Sequence, residues 1–529
     1  SLIILLTVIS RFAILGERVM SHDEVNHVVP SYSLYQGKGY AHDPVTHGPM
    51  QFHLVALSYF LFGDSDTSSR IPAALFSIAT VIVVLVGFRS YLGRAGALIG
   101  GFLFTISPYM LFYGRYTRNE AFVALFGVLT LLFALRYLEK GDKKYLYGLA
   151  AVTALQFATK ETSFIYTAQF LLFFAVVFLQ DVISLPWIRK NLKVPFLLAT
   201  FGALVLILAA VAIGAQIARA GETVESLSAA LPEAEAAAAA AVSGATPSIG
   251  LEVAVVLAAL ALGGLAAFFL LSGLGWKRVR EVRSFDLLIL VGSLILPQLA
   301  AFPIKMSGVN PIDYSNPDTI TRTAVFLTSL FALSVVIGIV WRPRTWLISA
   351  GIFYAIFIVL YTTMFTNGRG FFTGIIGSLG YWLEQQGVNR GSQPWYYYAF
   401  LQVPMYEYLA ALGTIVAFYY GMKHWLFSHL PGRSPFLQSL PVEKTEGPDD
   451  ALLDAALELP EPAETPANNP RLPILALLVF WSLTSLVAYS IAGEKMPWLT
   501  VHIALPMLLA AGWGFGFMLD QFSFFFQPA

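Results

Sequence analysis

The chain has 529 residues, 57% of them hydrophobic and 12% charged, with equal numbers of acidic and basic side chains and no cysteine. Charge this sparse is about half that of a soluble domain, and many apolar runs approach the ~20 residues that cross a bilayer, so this is a polytopic membrane protein. Zero net charge argues against nucleic acid as a partner, and the lack of cysteine excludes disulfides, thiolate metal sites and cysteine nucleophiles.

The opening run SLIILLTVISRFAILG reads as a first spanning helix with its start trimmed, because no small-residue cleavage site follows it. Next comes Ser21–His53, a polar stretch holding five of the eight histidines and the carboxylates Asp23, Glu24 and Asp43. Keeping such a loop beside lipid is costly, and it is the expected active site. Met50–Gly63 is apolar but too short to span, so it reads as an interfacial or re-entrant helix. Further spanning segments follow at about 69–88, 96–114, 119–137, 145–159, 163–181, 195–217, 250–273, 285–303, 323–341, 345–365, 397–422, 472–492 and 499–519. With the first run this makes an all-α bundle of about 14 (12–14) transmembrane helices whose first external loop, 17–68, carries short interfacial helices.

One set of alternate loops holds most of the basic residues: Arg89 and Arg94; Arg136, Lys140, Lys143 and Lys144; Arg189, Lys190 and Lys193; Lys277, Arg278, Arg280 and Arg283; Arg342 and Arg344; and Lys423, Arg433, Lys444 and Arg471. The positive-inside rule puts these in the cytoplasm and the Ser21–His53 loop outside. The expected organisation is a catalytic core over 1–180, a variable set of helices over 181–430 with external loops 218–249, 304–322 and 366–396, an acidic cytoplasmic linker over 431–471, and a closing helix pair over 472–529. The linker's proline and acid content suits disorder and leaves room for a membrane-protein partner.

The same external parity collects Arg115, Arg118 and Glu120 in YGRYTRNE, Lys160 and Glu161 in TKET, Arg369 in NGRGFFTG, and Lys495 in GEKMPW. Charges at membrane depth are expensive, and their default reading is functional. The bland readings are a helix-end ion pair for Arg115, Arg118 and Glu120, a turn for Lys160–Glu161, and a snorkelling side chain for Lys495. What favours function is their coincidence with the carboxylates of the first loop. Transfer of a sugar from a lipid phosphate needs both halves of this set. A carboxylate takes the proton of the incoming hydroxyl, and fixed cations stabilise the charge that gathers on the departing phosphate.

SHDEVNH resembles the Asp-Glu motif in the first loop of the protein O-mannosyltransferases, and HDPVTHGPMQFH resembles a later segment of that loop. SRIPAALFSIATVIVV, ISPYMLFYGRYTRNEAFVALF and ATKETSFIY are similar to successive helices of the GT-C glycosyltransferase superfamily, which includes the aminoarabinose transferases. GEKMPWLTVHIALP is like the ending of a prokaryotic branch associated with flippases and surface glycosylation. The likeness covers about residues 1–180 and 490–510. It implies a GT-C-like bundle acting as a hexosyl- or mannosyltransferase, with Asp23 as catalytic base and Glu24 as its partner. Arg115 or Arg118 would contact the donor phosphate, with Lys160 and Lys495 as further phosphate candidates, and His27, Asp43, His47, Glu120, Glu161 and Arg369 would line the substrate site. This sequence departs from the family where His-Pro-Pro is His47-Gly48-Pro49.

No cofactor is expected, although His22, His27, His42 and His47, with Asp23 and Asp43, offer N and O donors that suit a divalent ion. The primary reading is an inverting glycosyltransferase of the cytoplasmic membrane. It would move a sugar from a polyprenyl-phosphate donor to a hydroxyl of a protein, surface glycan or lipid on the outer face. The alternatives are a lipid-linked-sugar flippase or transporter, which would place polar sites near the midplane, and a catalytically silent subunit of a membrane complex with the same fold.

Overall fold

A computed structural model describes residues 2–230, 249–385, 393–428, 474–493 and 495–525. Every regular element among them is helical. The linker expected over 431–471, residues 231–248 and 386–392 of the loops expected over 218–249 and 366–396, and Glu494 lie outside the described residues.

Every predicted span falls on helical chain, and 96–114, 285–303 and 397–422 each run over more than one of its helical elements. We label these α1 (Leu2–Phe12), α2 (His22–Tyr35), α3 (Met50–Phe62), α4 (Asp66–Ile82), α5 (Arg89–Ile106), α6 (Pro108–Tyr113), α7 (Glu120–Lys140), α8 (Lys143–Phe157) and α9 (Ser163–Ser184). There follow α10 (Lys193–Ala230), α11 (Ile249–Leu274), α12 (Arg283–Ile295), α13 (Pro317–Trp341), α14 (Pro343–Tyr361), α15 (Tyr408–Lys423), α16 (Leu475–Ile491) and α17 (Thr500–Phe525). Among the described residues nine helices are long and apolar enough to cross a membrane, or ten if a bent pair counts as one span. The helices at the predicted first and thirteenth spans, α1 and α16, are apolar but shorter. Large apolar side chains such as Phe201, Leu208, Leu260, Phe268, Val325 and Val336 face outward, as helices solvated by lipid require.

The predicted straight segment 397–422 is in fact broken. Tyr397–Tyr406 and Tyr408–Lys423 meet at 107°. Pro404 supplies no backbone N–H to the ladder. Glu407, at the break, accepts hydrogen bonds from Ser107 Oγ (2.6 Å) and Tyr109 N (3.0 Å), which tie the bend to the start of α6. The aromatic run beside it is split rather than uniformly interfacial: Trp395 is exposed, whereas Tyr398 is buried and donates to the Met496 carbonyl.

The core is organised on α17, which packs against α5, α7, α15 and α16. Its window is 89% buried, and small residues allow the close approach. A Cβ on Gly512 would lie 2.9 Å from Gly100 Cα, and one on Gly516 would lie 2.4 Å from Gly96 Cα. Without a water-driven hydrophobic effect between spanning helices, such backbone proximity supplies the dispersion energy that holds them.

Polar groups gather at two opposite ends of these helices. At one end Asp286 joins Trp341 Nε1 (2.7 Å), Arg342 (3.0 Å) and Tyr137, while Arg283 binds the Leu138 carbonyl. Arg136 binds Gly87 and Ser90 at that same end. The other end carries Glu24, Arg70, Arg118, Glu120 and Lys160. The 21 residues of α7 run from one end to the other, about 30 Å at 1.5 Å per residue, which is the thickness of a hydrocarbon core.

Candidate active site

Ser21 starts α2 through a capping box. Its hydroxyl accepts from Glu24 N, and its own N–H donates to Glu24 Oε2 (3.2 Å). Asp23 and Glu24 thus occupy the first turn, where the helix dipole favours negative charge. Neighbours on a helix point about 100° apart, and the two carboxylates have different fates. Glu24 turns inward and is fully buried, accepting from Arg70 (2.8 and 3.0 Å), Arg18 (2.9 Å) and Thr117 N (3.1 Å). Burial pushes its pKa up, but the hydrogen bonds from Arg70, Thr117 and Ser21 outweigh burial and hold it below the ordinary carboxylate value. Asp23 stays 37% exposed and meets Arg118 NH1 at 2.8 Å.

From Asp23 a ladder of alternating charge runs inward. The Arg118 guanidinium lies over the Trp498 ring, 3.8 Å from its centroid. Its Nε stands 3.4 Å from Glu120 Oε2, close enough to pair but too poorly aligned to hydrogen-bond. The other oxygen of Glu120 meets Lys160 Nζ at 2.5 Å. His502 lies within the fields of Lys160, Glu120 and Arg118, and its Nδ1 faces the Tyr166 hydroxyl at 3.1 Å. Among these buried groups His27 Nδ1, Arg118 Nε, Glu120 Oε2 and His502 Nε2 have hydrogen-bonding capacity left unused. A folded chain rarely tolerates this without a hydroxyl or water to supply it.

The later half of the loop docks by backbone. Gly48 N donates to Thr159 O (3.1 Å) and Met50 N to Ala158 O (2.9 Å). A Cβ at Gly48 would sit 2.2 Å from the Ala158 carbonyl oxygen, so a glycine at this position is what lets the two stretches of chain touch. This docking places His47 Nδ1 2.7 Å from Glu161 Oε2. Burial raises the Glu161 pKa, but the charge and hydrogen bond of His47 prevail and hold it below the ordinary value. His27 stacks on His47 with ring centroids 6.4 Å apart, and burial, followed by the charges of His47 and Arg118, keeps its pKa well below the ordinary value. His42 faces Thr373 Oγ1 (2.8 Å) and the edge of Tyr361, and burial lowers its pKa to about 4.

Asp23, Arg118, Glu120, Lys160, His27, His47 and Glu161 therefore come together. Arg115 does not join them, because it donates to the carbonyls of Ser10 (2.6 Å) and Ala13 (2.7 Å) at the end of α1. Lys495 donates to the Ala492 carbonyl (3.0 Å). Asp43 is exposed and caps its own short turn through Val45 N (3.0 Å), and Arg369 is exposed at the start of the helix Gly370–Phe372. His22 is exposed, and among the described residues no three His, Asp or Glu side chains gather in a way that could hold a metal ion. Sequence reasoning missed Arg70, Arg18 and Trp498. Arg70 could have been flagged as a lone cation one turn into the long apolar run of α4.

Fold and site together define a multi-pass membrane protein with a buried cluster of paired charges at one end of its helices. Residues 46–213 match the dolichyl-phosphate-mannose-protein mannosyltransferase family, under half of the chain. That stretch carries Arg118, Glu120, Lys160 and the His47–Glu161 contact. No curated protein matches the chain. Among solved structures, the archaeal oligosaccharyltransferase AglB from Archaeoglobus fulgidus, in complex with an inhibitory peptide and a dolichol-phosphate, overlaps with a TM-score of 0.44 at 11% identity, over 99% of this chain and 50% of its own. ArnT from Cupriavidus metallidurans in the apo state gives 0.31 at 17%, over 71% of this chain and 77% of its own. ArnT bound to undecaprenyl phosphate gives 0.31 at 12%, over 99% and 78%. The chain thus spans about half the length of AglB.

Proposed function

We propose that the protein is an inverting glycosyltransferase that moves a sugar from a polyprenyl-phosphate donor to an acceptor hydroxyl on the outer face of the cytoplasmic membrane. The observation that carries this reading is Asp23, a half-exposed carboxylate standing at the open end of the buried ladder Arg118–Glu120–Lys160. In the step proposed, the acceptor oxygen attacks the anomeric carbon and Asp23 takes its proton. The bond from that carbon to the phosphate oxygen breaks, and its electron pair leaves with the polyprenyl phosphate. Arg118, gripped by Trp498 and Glu120, holds Asp23 in place until the acceptor arrives. Glu24 holds the loop through Arg70 and does not face the reactants. The gathering of Arg136, Arg283 and Arg342 at the opposite helix ends supports placing the Asp23 end outside the cytoplasm.

The test is transfer from a polyprenyl-phosphate hexose to candidate acceptors by the purified chain and by Asp23→Asn. The variant is expected to keep its thermal stability and lose at least a hundredfold in rate, the usual range for a general base; undiminished transfer would sink the assignment. One observation favours transport instead, the span broken at Glu407. Lipid-linked sugar scrambling that survives Asp23→Asn would decide for that alternative.

A further inference from the structure

The ladder is electrically closed. Asp23 and Glu120 face Arg118 and Lys160, so it has no cation to spare for an incoming phosphate and suits neutral hydroxyls better. The other half of the site is not closed. Glu24 stands alone against Arg18 and Arg70, and Arg115 lies close enough for the charges of both to act on it. The dipole end of α1, which Arg115 caps, returns only about half a charge. Even with Glu17, which is exposed and in none of the ion pairs among the described residues, this lobe stays positive.

Arg70 spends its donors on Glu24 and on the carbonyls of Leu15 and Arg18. Arg18 is different. It is 42% exposed and uses one nitrogen, NH2, on Glu24. Its guanidinium lies against the rings of Tyr116 (4.8 Å) and Phe112 (5.3 Å), which restrict its orientation. Phe112 is itself 48% exposed, as are Ile14 and Val19 more fully, so this arginine sits where lipid-facing chain meets the polar loop. Burial lowers the Arg115 pKa, and the charges of Arg18 and Arg70 lower it further.

We propose that Arg18, on its aromatic bed and backed by Arg115, is the seat of the phosphate of a membrane lipid, a diester while it carries the sugar and a monoester once the sugar has left. This rests on the glycosyltransferase reading and deepens it: the phosphate binds beside Glu24, and the sugar reaches past the first turn of α2 to Asp23. A planar fork suits a phosphate's oxygens in a way an ammonium does not.

The experiment uses the full chain in phosphatidylcholine nanodiscs, titrated with undecaprenyl phosphate, with inorganic phosphate as a competitor in a second arm. Arg18→Gln is expected to weaken lipid binding about ten- to a hundredfold, the worth of one charged hydrogen-bonding partner. Arg18→Lys should recover part of it, and Arg94→Gln, at an exposed arginine just after the Gly93 kink in α5, should change nothing. Competition by inorganic phosphate assigns the phosphate group alone, and lack of it assigns a phosphate presented by a lipid; either supports the seat. Thermal unfolding of Arg18→Gln and Arg18→Lys checks the fold, and if the glutamine variant does not fold, the partial loss in the lysine variant carries the test. Wild-type binding by Arg18→Gln, or by Arg18→Lys in that case, or an equal loss in Arg94→Gln, overturns the inference while leaving Asp23 untouched. A wild-type chain that binds no undecaprenyl phosphate overturns the functional reading as well.

Discussion

Arg70→Leu tests whether the first loop is held by a buried ion pair. In the folded chain Glu24 has no exposed surface and takes two hydrogen bonds from Arg70. Removing the guanidinium leaves a carboxylate with Arg18, Thr117 N and Ser21 N as its remaining donors, and also frees the carbonyls of Leu15 and Arg18. Breaking a buried pair from one side costs about 3–5 kcal/mol. The surviving donors put the expected loss at the lower end, about 3 kcal/mol. The pH dependence gives a second readout with a definite sign. In the wild type the Glu24 pKa is below its ordinary 4.5, so its contribution is complete above that value and lost as pH falls through the folded value. In the variant the bonds and charge of Arg70 no longer help to outweigh burial, and the folded pKa is expected to rise above the ordinary value. Protonation then relieves the variant, and its stability deficit narrows as pH falls from about 8 to about 5. Thermal unfolding of both proteins in detergent across that range measures the gap. An unchanged melting temperature, or a deficit that widens toward acid, would refute the reasoning.

Glu161→Gln removes the charge that His47 meets at 2.7 Å. Its deficit in melting temperature should be full above the ordinary value of 4.5 and fade as pH falls through the lower folded value of the wild type. Gly48→Ala places a methyl 2.2 Å from the Ala158 carbonyl oxygen; the loop is expected to undock, with trypsin cleavage after Lys38 at least several-fold faster, and an unchanged cleavage rate would count against the docking. Trp498→Leu removes the ring beneath Arg118, an interaction of about 1–2 kcal/mol at a desolvated site. It should lower kcat about tenfold with KM nearly constant, and a change confined to KM would mean that the ring contacts substrate instead.

The span positions were legible in the chain because apolar run length is a local property, which helices α4, α7, α9 and α17 obey to within a few residues. So was the first loop as a polar stretch outside the spanning helices, since its histidines and carboxylates have no place in lipid. The break at Glu407 was missed although Pro404 and Glu407 interrupt the apolar, aromatic run, because neither residue says by itself whether a helix bends there or runs on. Partner choice was not legible either. Asp23 and Glu24 are adjacent and alike in chemistry, yet the turn of one helix sends Glu24 to Arg70 and leaves Asp23 to Arg118. Arg115 and Arg118 share one turn of chain, but the end of α1 takes the first and Glu120 the second. Trp498 reaches Arg118 across most of the polypeptide. Composition and periodicity decide where helices form, since each residue answers to lipid or water independently. Which charge meets which depends on helix rotation and packing, and those exist only when the whole bundle has assembled.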